Sequence, residues 1–112
     1  MSSGAERLVE LAAEDGFDAV TGRHDAVLLD FYTPSCVICR RLEPMLATVA
    51  AEMGDRIAVL KVNAEAHVDT AVRCDVRGVP SLVLVREGEV VDRKVGFVSA
   101  RELRQWLQQR LA

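Results

Sequence analysis

The sequence has few of the features that mark membrane, secreted or nucleic-acid-binding proteins. No apolar stretch approaches the roughly 18 residues that cross a bilayer, and the N-terminus lacks the basic and apolar segments of a secretory signal. Lysine and arginine number 14 against 17 acidic residues, which gives a net charge of -3. This balance disfavours the clustered cations that bind phosphates. We therefore expect neither a membrane partner nor a nucleic-acid partner.

Cysteine is also scarce, and its count is odd. The chain contains Cys36, Cys39 and Cys74. An odd number argues against the disulfide-stapled framework of a small secreted protein. For a chain without a signal we expect a cytoplasmic location, where thiols stay reduced unless they are catalytic, redox-sensing or metal-bound.

The chain does have enough apolar sequence for one folded domain. Half of its 112 residues are hydrophobic and 28% are charged, without repeats or linkers, so we expect a single domain over residues 1–112. Near-continuous apolar runs predict buried strands, alternating patterns predict edge strands, and Glu87-Gly88 predicts a hairpin turn. The predicted strands cover residues 8–12, 26–32, 57–62, 81–85 and 89–95.

Helical spacing of apolar residues separates these strands. Ser99 and Glu102 form a capping box before the last helix, whose stripe includes Trp106. The long second helix contains Pro44, which we expect to kink it. Helices are predicted over residues 17–22, 36–53, 65–74 and 99–111. The pattern predicts an α/β fold with a mixed central sheet of four to five strands flanked by helices on both faces.

Two cysteines lie where the first central strand meets the long helix, in the order Cys36-Val37-Ile38-Cys39. Residues three apart in a helix share a side, with Cβ atoms about 5–6 Å apart. A disulfide needs about 3.5–4.5 Å, which the first helical turn can supply with little movement. The positive helix N-terminus favours thiolate, the attacking form in disulfide exchange. This pattern predicts an attacking Cys36 and a resolving Cys39.

Two other interpretations of the pair remain open at this stage. The first is half of a zinc site, although zinc usually takes four ligands and only Cys74, His24 and His67 remain, none of them paired. We expect both histidines at the surface. The second is a pair of unrelated buried cysteines.

An ordered set of motifs around these cysteines resembles the thioredoxin family from Phe17 to Leu111. The resemblance implies a thioredoxin fold and a protein-disulfide oxidoreductase with no cofactor and no metal in this chain. It also implies protein disulfides as substrates, a thioredoxin reductase or a dedicated electron-donor protein as partner, and a monomeric state. The matching motifs are 27–32, Cys36-x-x-Cys39, Pro44, 61–63, 78–81, Gly88 and Gly96.

The resemblance also assigns roles to single residues. Asp30 matches the family's buried aspartate beneath the dithiol, which would exchange a proton with Cys39; the alternative is an exposed or merely hydrogen-bonded aspartate on an edge strand. Lys61 matches the lysine that tunes the charge of that aspartate, and the alternative is a solvated lysine. Pro80 matches the cis-proline that faces the dithiol, although a proline at a strand start is also structurally ordinary.

Further positions are implied in substrate binding. The backbone at Val79 would pair with an extended substrate segment, and Gly96 would leave room for it. Ser35 stands where the family usually has tryptophan, and Val37-Ile38 replaces Gly-Pro between the cysteines. We interpret these apolar side chains as a docking patch, with neutral drift as the alternative.

Two other functions stay open from the sequence. The chain could be an adaptor or chaperone-like binding module with little redox turnover, a function that Ser35, Val37 and Ile38 slightly favour. It could instead be a redox sensor that forms a dimer through Cys74. The two cysteines, Asp30 and Pro80 together favour the oxidoreductase.

Overall fold

A mixed sheet of five strands forms the centre of this computed structural model, which describes residues 8–112. The strand order is β1-β3-β2-β4-β5, with β1, β3 and β2 parallel and β4 and β5 antiparallel to their neighbours. This arrangement confirms the predicted mixed α/β sheet. The strands are β1 (Leu8–Glu10), β2 (Ala26–Tyr32), β3 (Ala58–Asn63), β4 (Ser81–Arg86) and β5 (Glu89–Val95).

Three α-helices connect these strands and a fourth follows β5; among residues 8–112 no helix is long and apolar enough to span a membrane. The second helix runs without interruption through Pro44. The third begins three residues later than predicted, because Asn63 holds a turn in which its side chain accepts a bond from the Glu65 N–H. The helices are α1 (Phe17–Thr21), α2 (Val37–Met53), α3 (Val68–Arg73) and α4 (Ala100–Leu111).

Both faces of the central strand β2 are buried, as its apolar run predicts. Its side chains alternate between two clusters, so that Leu28 packs with α2 and α4 while Leu29 packs with residues of α1 and α3. Strand β3 is less buried than predicted. Only Val59 and Val62 are fully covered within it, because its outer neighbour β1 is three residues long.

The last helix is capped and packed as predicted. The Ser99 hydroxyl accepts a hydrogen bond from the Glu102 N–H at 3.1 Å. Leu103, Trp106 and Leu107 are buried. His67, in contrast, was expected at the surface and is only 8% exposed. The turn after β3 folds it inward, with its N–H bonded to the Asn63 carbonyl at 2.9 Å.

Leu42 of α2 is fully buried in the cluster between the sheet and α4. We expect Leu42→Ala to lower the free energy of unfolding by about 2–5 kcal/mol, because it leaves a cavity in a close-packed core. Urea denaturation measures this loss. The matched control is Val72→Ala in α3, where the side chain is 73% exposed and the change should stay within about 0.5 kcal/mol. Equal losses in both variants would contradict this account of the core.

Candidate active site

The two cysteines lie at the start of α2, where Cys36 is the N-cap residue and Cys39 lies in the first turn. Their Cα atoms are 5.3 Å apart and their sulfurs form a disulfide. Cys36 is half-buried, whereas Cys39 is 2% exposed. A bulky partner can therefore reach the sulfur of Cys36 but not that of Cys39.

The start of α2 also stabilises negative charge on Cys36. The Cys39 N–H points at the Cys36 sulfur at 3.1 Å. This N–H and the positive end of a helix of 17 residues both favour a thiolate at Cys36 once the disulfide is reduced. The preceding loop is held in place by the Arg40 guanidinium, which donates to the Pro34 carbonyl at 2.8 Å.

Cys74 lies apart from this pair. It is fully buried in the cluster on the α1 and α3 side of the sheet, and burial raises the pKa of its thiol to about 11. A protonated, covered thiol is a poor nucleophile, which disfavours the redox-sensor interpretation. In the part of the chain that the structure describes, no group of three or more His, Cys, Asp or Glu side chains could hold a metal ion.

Asp30 is the most unusual polar residue of the sheet. It lies in the central strand with 0% exposure, and neither carboxyl oxygen has a hydrogen-bond partner among the described residues. Burial raises its pKa to about 7; Lys61 opposes the shift, and Glu43 and Glu10 add to it. The alternative of a hydrogen-bonded carboxylate on an edge strand is thereby excluded.

Asp30 belongs to a row of charged residues across three strands. Lys61 of β3 pairs in register with Asp30 on one side and with Glu10 of β1 on the other. Because side chains alternate along a strand, these three lie on the same face as Leu28, Val59 and Leu8, the face that α2 covers. The sheet thus places the side chains of Asp30, Lys61 and Glu10 in a row beneath α2.

Lys61 does not form an ion pair with Asp30. Its ammonium pairs with Glu43 of α2, approaches Glu10 at 3.9 Å, and lies 4.6 Å from the centre of the Tyr32 ring. The Tyr32 hydroxyl donates to Glu10 at 2.7 Å. Burial, and then this bond, raise the pKa of Tyr32. Lys61 is therefore next to Asp30 in the strand register, as the resemblance implies, but the two side chains form no ion pair.

A cavity of about 220 Å³ joins this cluster to the dithiol. It is lined by residues that include Cys39, Glu43 and Lys61. The sequence carries a weak signal for Glu43, which follows Cys39 by one helical turn and so shares its helix face. It carries none for Glu10, because strand register is not visible in a single sequence.

The other implied residues lie at the same end of the sheet. Val37 and Ile38 are 55% and 46% exposed, and Ser35 beside them is exposed. Ser81 pairs with Phe31 at the end of β2, which places the preceding Pro80 at the edge where α2 begins. The Val79–Pro80 peptide bond is cis.

Gly96 completes this edge beside Pro80. Its N–H donates to the Pro80 carbonyl at 2.9 Å, and its φ of +91° is a backbone conformation that favours glycine. The next residue, Phe97, is 49% exposed. Sequence patterns did not single out Phe97, because an aromatic residue after a strand is equally typical of a core.

The raised pKa of Asp30 makes stability depend on pH. The folded protein keeps this proton up to about pH 7, whereas the unfolded chain releases it near the ordinary pKa of 3.8. The folded state binds more protons between these values, so the free energy of unfolding falls as pH rises through them. We expect a fall on the order of 4 kcal/mol that Asp30→Asn lacks.

Urea denaturation of the oxidised protein and of Asp30→Asn, at a series of pH values from about 4 to about 8, measures this difference. All other titratable groups are common to the two proteins and cancel in the comparison. Parallel stability curves for the two proteins would show that Asp30 titrates normally.

Comparison with known proteins agrees with this geometry. The family model for thioredoxin matches residues 8–109. Thioredoxin of Bacillus subtilis is 32% identical over 100 residues, which cover 89% of this chain and 95% of that protein. A thioredoxin of Buchnera aphidicola is 37% identical over 82 residues, or 73% of this chain and 75% of that protein.

The solved structure of a mutant thioredoxin from Halobacterium salinarum is similar at a TM-score of 0.81 and 35% identity, covering 100% of this chain and 96% of that one. Thioredoxins in general act on protein disulfides and are reduced by thioredoxin reductase. The sequence matches, the fold and the disulfide between Cys36 and Cys39 thus all point to the same family. The chain belongs to the thioredoxin family and is a thiol–disulfide oxidoreductase that exchanges disulfides through Cys36 and Cys39.

Proposed function

We propose that this protein reduces protein disulfides with Cys36 as the attacking thiolate, Cys39 as the resolving thiol and Asp30 as the proton acceptor. The observation that carries this division of roles is the unequal exposure of the two cysteines at the start of α2. Cys36 is half-buried and accepts an N–H bond at its sulfur, while Cys39 is 2% exposed. The accessible thiolate of Cys36 can attack a substrate disulfide, whereas the covered thiol of Cys39 can attack only the mixed disulfide within the same molecule.

The reaction balances in two steps. The Cys36 thiolate attacks one sulfur of the substrate disulfide, forming a mixed disulfide and releasing the other substrate sulfur as a thiolate. Cys39 then loses its proton to ionised Asp30, attacks the Cys36 sulfur and releases the second substrate sulfur as a thiolate, which takes the proton back from Asp30. The substrate gains two electrons, and the protein is left with the Cys36–Cys39 disulfide that the structure contains.

Asp30 suits the second step because its pKa of about 7 lies near neutral pH. A general base is most effective when its pKa is close to the working pH, since it is then both ionised and basic enough to take the proton. An ordinary exposed aspartate, at 3.8, is a far weaker base toward a thiol. Lys61, beside Asp30 in the sheet, adjusts this affinity.

The apolar rim around the dithiol binds the substrate segment. Ser35, Val37 and Ile38 border the attacking sulfur along the chain, and half-buried Val79 offers backbone groups before the cis bond. Gly96 has nothing within 4 Å of the position that a Cβ would take, which leaves space for an extended peptide. Strand-like backbone pairing would give affinity for the substrate segment, and side-chain contacts would give preference among substrates.

We infer a reducing compartment, such as the cytoplasm, and a monomer served by a thioredoxin reductase or a dedicated electron-donor protein. The free buried thiol of Cys74 supports a reducing setting. The departures from Trp-Cys-Gly-Pro-Cys at Ser35, Val37 and Ile38 favour a partner adapted to an apolar rim.

The roles of the two cysteines are tested by trapping. We expect Cys39→Ser to remain covalently joined to a disulfide substrate such as insulin, because nothing resolves the mixed disulfide. Mass spectrometry under non-reducing conditions detects the adduct. Cys36→Ser should form no adduct, and Cys74→Ser should turn over like the unmodified protein. Full turnover by Cys39→Ser would show that another group resolves the mixed disulfide. No turnover by the unmodified protein would favour the adaptor function.

A variant at Ile38 tests the docking patch beside the dithiol. We expect Ile38→Ser to raise KM about fivefold with little change in kcat, since roughly 1 kcal/mol of apolar contact with substrate is lost. Steady-state reduction of a protein disulfide measures both constants. The matched control is Val91→Ser, a 45% exposed valine of β5 on the hairpin side of the sheet. Equal effects of the two variants would contradict a docking role for Ile38.

A further inference from the structure

Three carboxyl groups surround the Lys61 side chain, and one of them, that of Asp30, forms no ion pair with it. Asp30 and Glu10 flank it in the sheet register, and Glu43 reaches it from α2. Its ammonium pairs with Glu43 and lies 3.9 Å from Glu10. Both oxygens of Asp30 remain without a hydrogen-bond partner in residues 8–112. The cation nearest in the sheet therefore does not neutralise the buried carboxyl.

Glu43 is placed to cause this arrangement. It follows Cys39 by four residues on α2, so its side chain shares the helix face of the resolving thiol. It lines the cavity of about 220 Å³ together with Cys39 and Lys61. Among the described residues, Lys61 is the cation within ion-pair distance of Glu43. One side chain thus links the helix that carries the dithiol to the strand beside Asp30.

The position of the Lys61 charge decides what Asp30 experiences. Paired with Asp30, the ammonium would favour its ionised form. Held between Glu43 and Glu10, the same ammonium is outnumbered by negative charge. Burial is then the largest influence on the pKa of Asp30; it outweighs the lowering by Lys61, and both glutamates raise the pKa further.

We propose that Glu43 is a positioning residue: by binding the Lys61 ammonium, it prevents that cation from pairing with Asp30 and so controls when Asp30 accepts the proton of Cys39. The proposal rests on the role assigned to Asp30 above. Glu43 acts through Lys61 and touches neither substrate nor the reacting sulfurs.

Other charged or titratable groups on this face come from each element around Asp30. Strand β1 contributes Glu10, β2 contributes Tyr32 and β3 contributes Lys61. Strand β5 contributes Lys94, which is in register with Leu82, the partner of Asp30 in β4, and lies over the Trp106 ring. Helix α2 contributes Cys39 and Arg40 besides Glu43. Tyr32 stays protonated at neutral pH, because burial and its bond to Glu10 raise its pKa. Glu10 is the second carboxylate on Lys61, at the longer distance of 3.9 Å.

The test is Glu43→Gln, which removes the charge and keeps the size of the side chain. We expect the midpoint of Asp30 titration to move to lower pH by about one unit or more, since a negative charge is lost and Lys61 is released toward Asp30. Carbon NMR of the Asp30 carboxyl in the oxidised protein measures the midpoint directly. The pH profile of mixed-disulfide resolution should move in the same direction.

The matched control is Glu52→Gln. Glu52 lies on the same helix and forms an ion pair with Arg104 at 2.6 Å, on the side of α2 that faces α4. Its substitution removes the same charge and the same kind of contact, and the Asp30 midpoint should stay unchanged. Equal midpoints in Glu43→Gln and Glu52→Gln would overturn the proposal.

A second variant separates positioning from direct repulsion. In a Lys61→Met background, Glu43→Gln should lose most of its effect on the Asp30 midpoint, because there is no cation left to release. An undiminished shift in that background would show that Glu43 acts on Asp30 directly, and the positioning role would be wrong.

Failure of the proposed function has a different signature. If Asp30→Asn leaves the pH profile of mixed-disulfide resolution unchanged, Asp30 does not accept the Cys39 proton, whatever the NMR midpoints show. If Asp30→Asn alters that profile while Glu43→Gln leaves both profile and midpoint unchanged, Asp30 keeps its role and the inference about Glu43 fails.

Discussion

Among residues 8–112, a single carboxyl group, that of Asp30, is buried without a hydrogen-bond partner, and the rest of this site depends on it. Desolvation makes the charged form of Asp30 unfavourable, and so the group takes up its proton near neutral pH. The surrounding fold is arranged to maintain that burial. Strand β2 is covered on both faces, and α2 lies over the face that carries Asp30. A polar group of this kind lowers stability when ionised, and the proposed role of Asp30 as proton acceptor would account for its presence in the core.

The dithiol depends on the same helix in a second way. The first turn of α2 exposes one sulfur, covers the other and directs an N–H toward the exposed one. One turn later, Glu43 reaches the cation beside Asp30. In the proposed mechanism the helix therefore couples disulfide exchange at Cys36 and Cys39 to proton transfer at Asp30, so a small displacement of its first two turns would affect both.

Much of this architecture could be predicted from the chain. Strands β2 and β5 occupy the predicted ranges because their patterns are strong, and the cap at Ser99 begins α4 as expected. The start of α3 and the burial of His67 were missed, since both depend on a turn held by the side chain and carbonyl of Asn63. The candidate site was predicted through residues that lie near each other in sequence or match the family. Glu10 and its contact with Lys61 could not be predicted, because they depend on strand register.

The placement of the one tryptophan also has a practical consequence. Trp106 is buried in α4, donates its indole N–H to Asp92 at 2.6 Å and lies under Lys94 of β5, while Ser35 occupies the position beside the dithiol. Trp106 also packs in the apolar cluster between the sheet and α4. Because it is the one indole of the chain, we expect intrinsic fluorescence to report on the packing of α4 against the sheet.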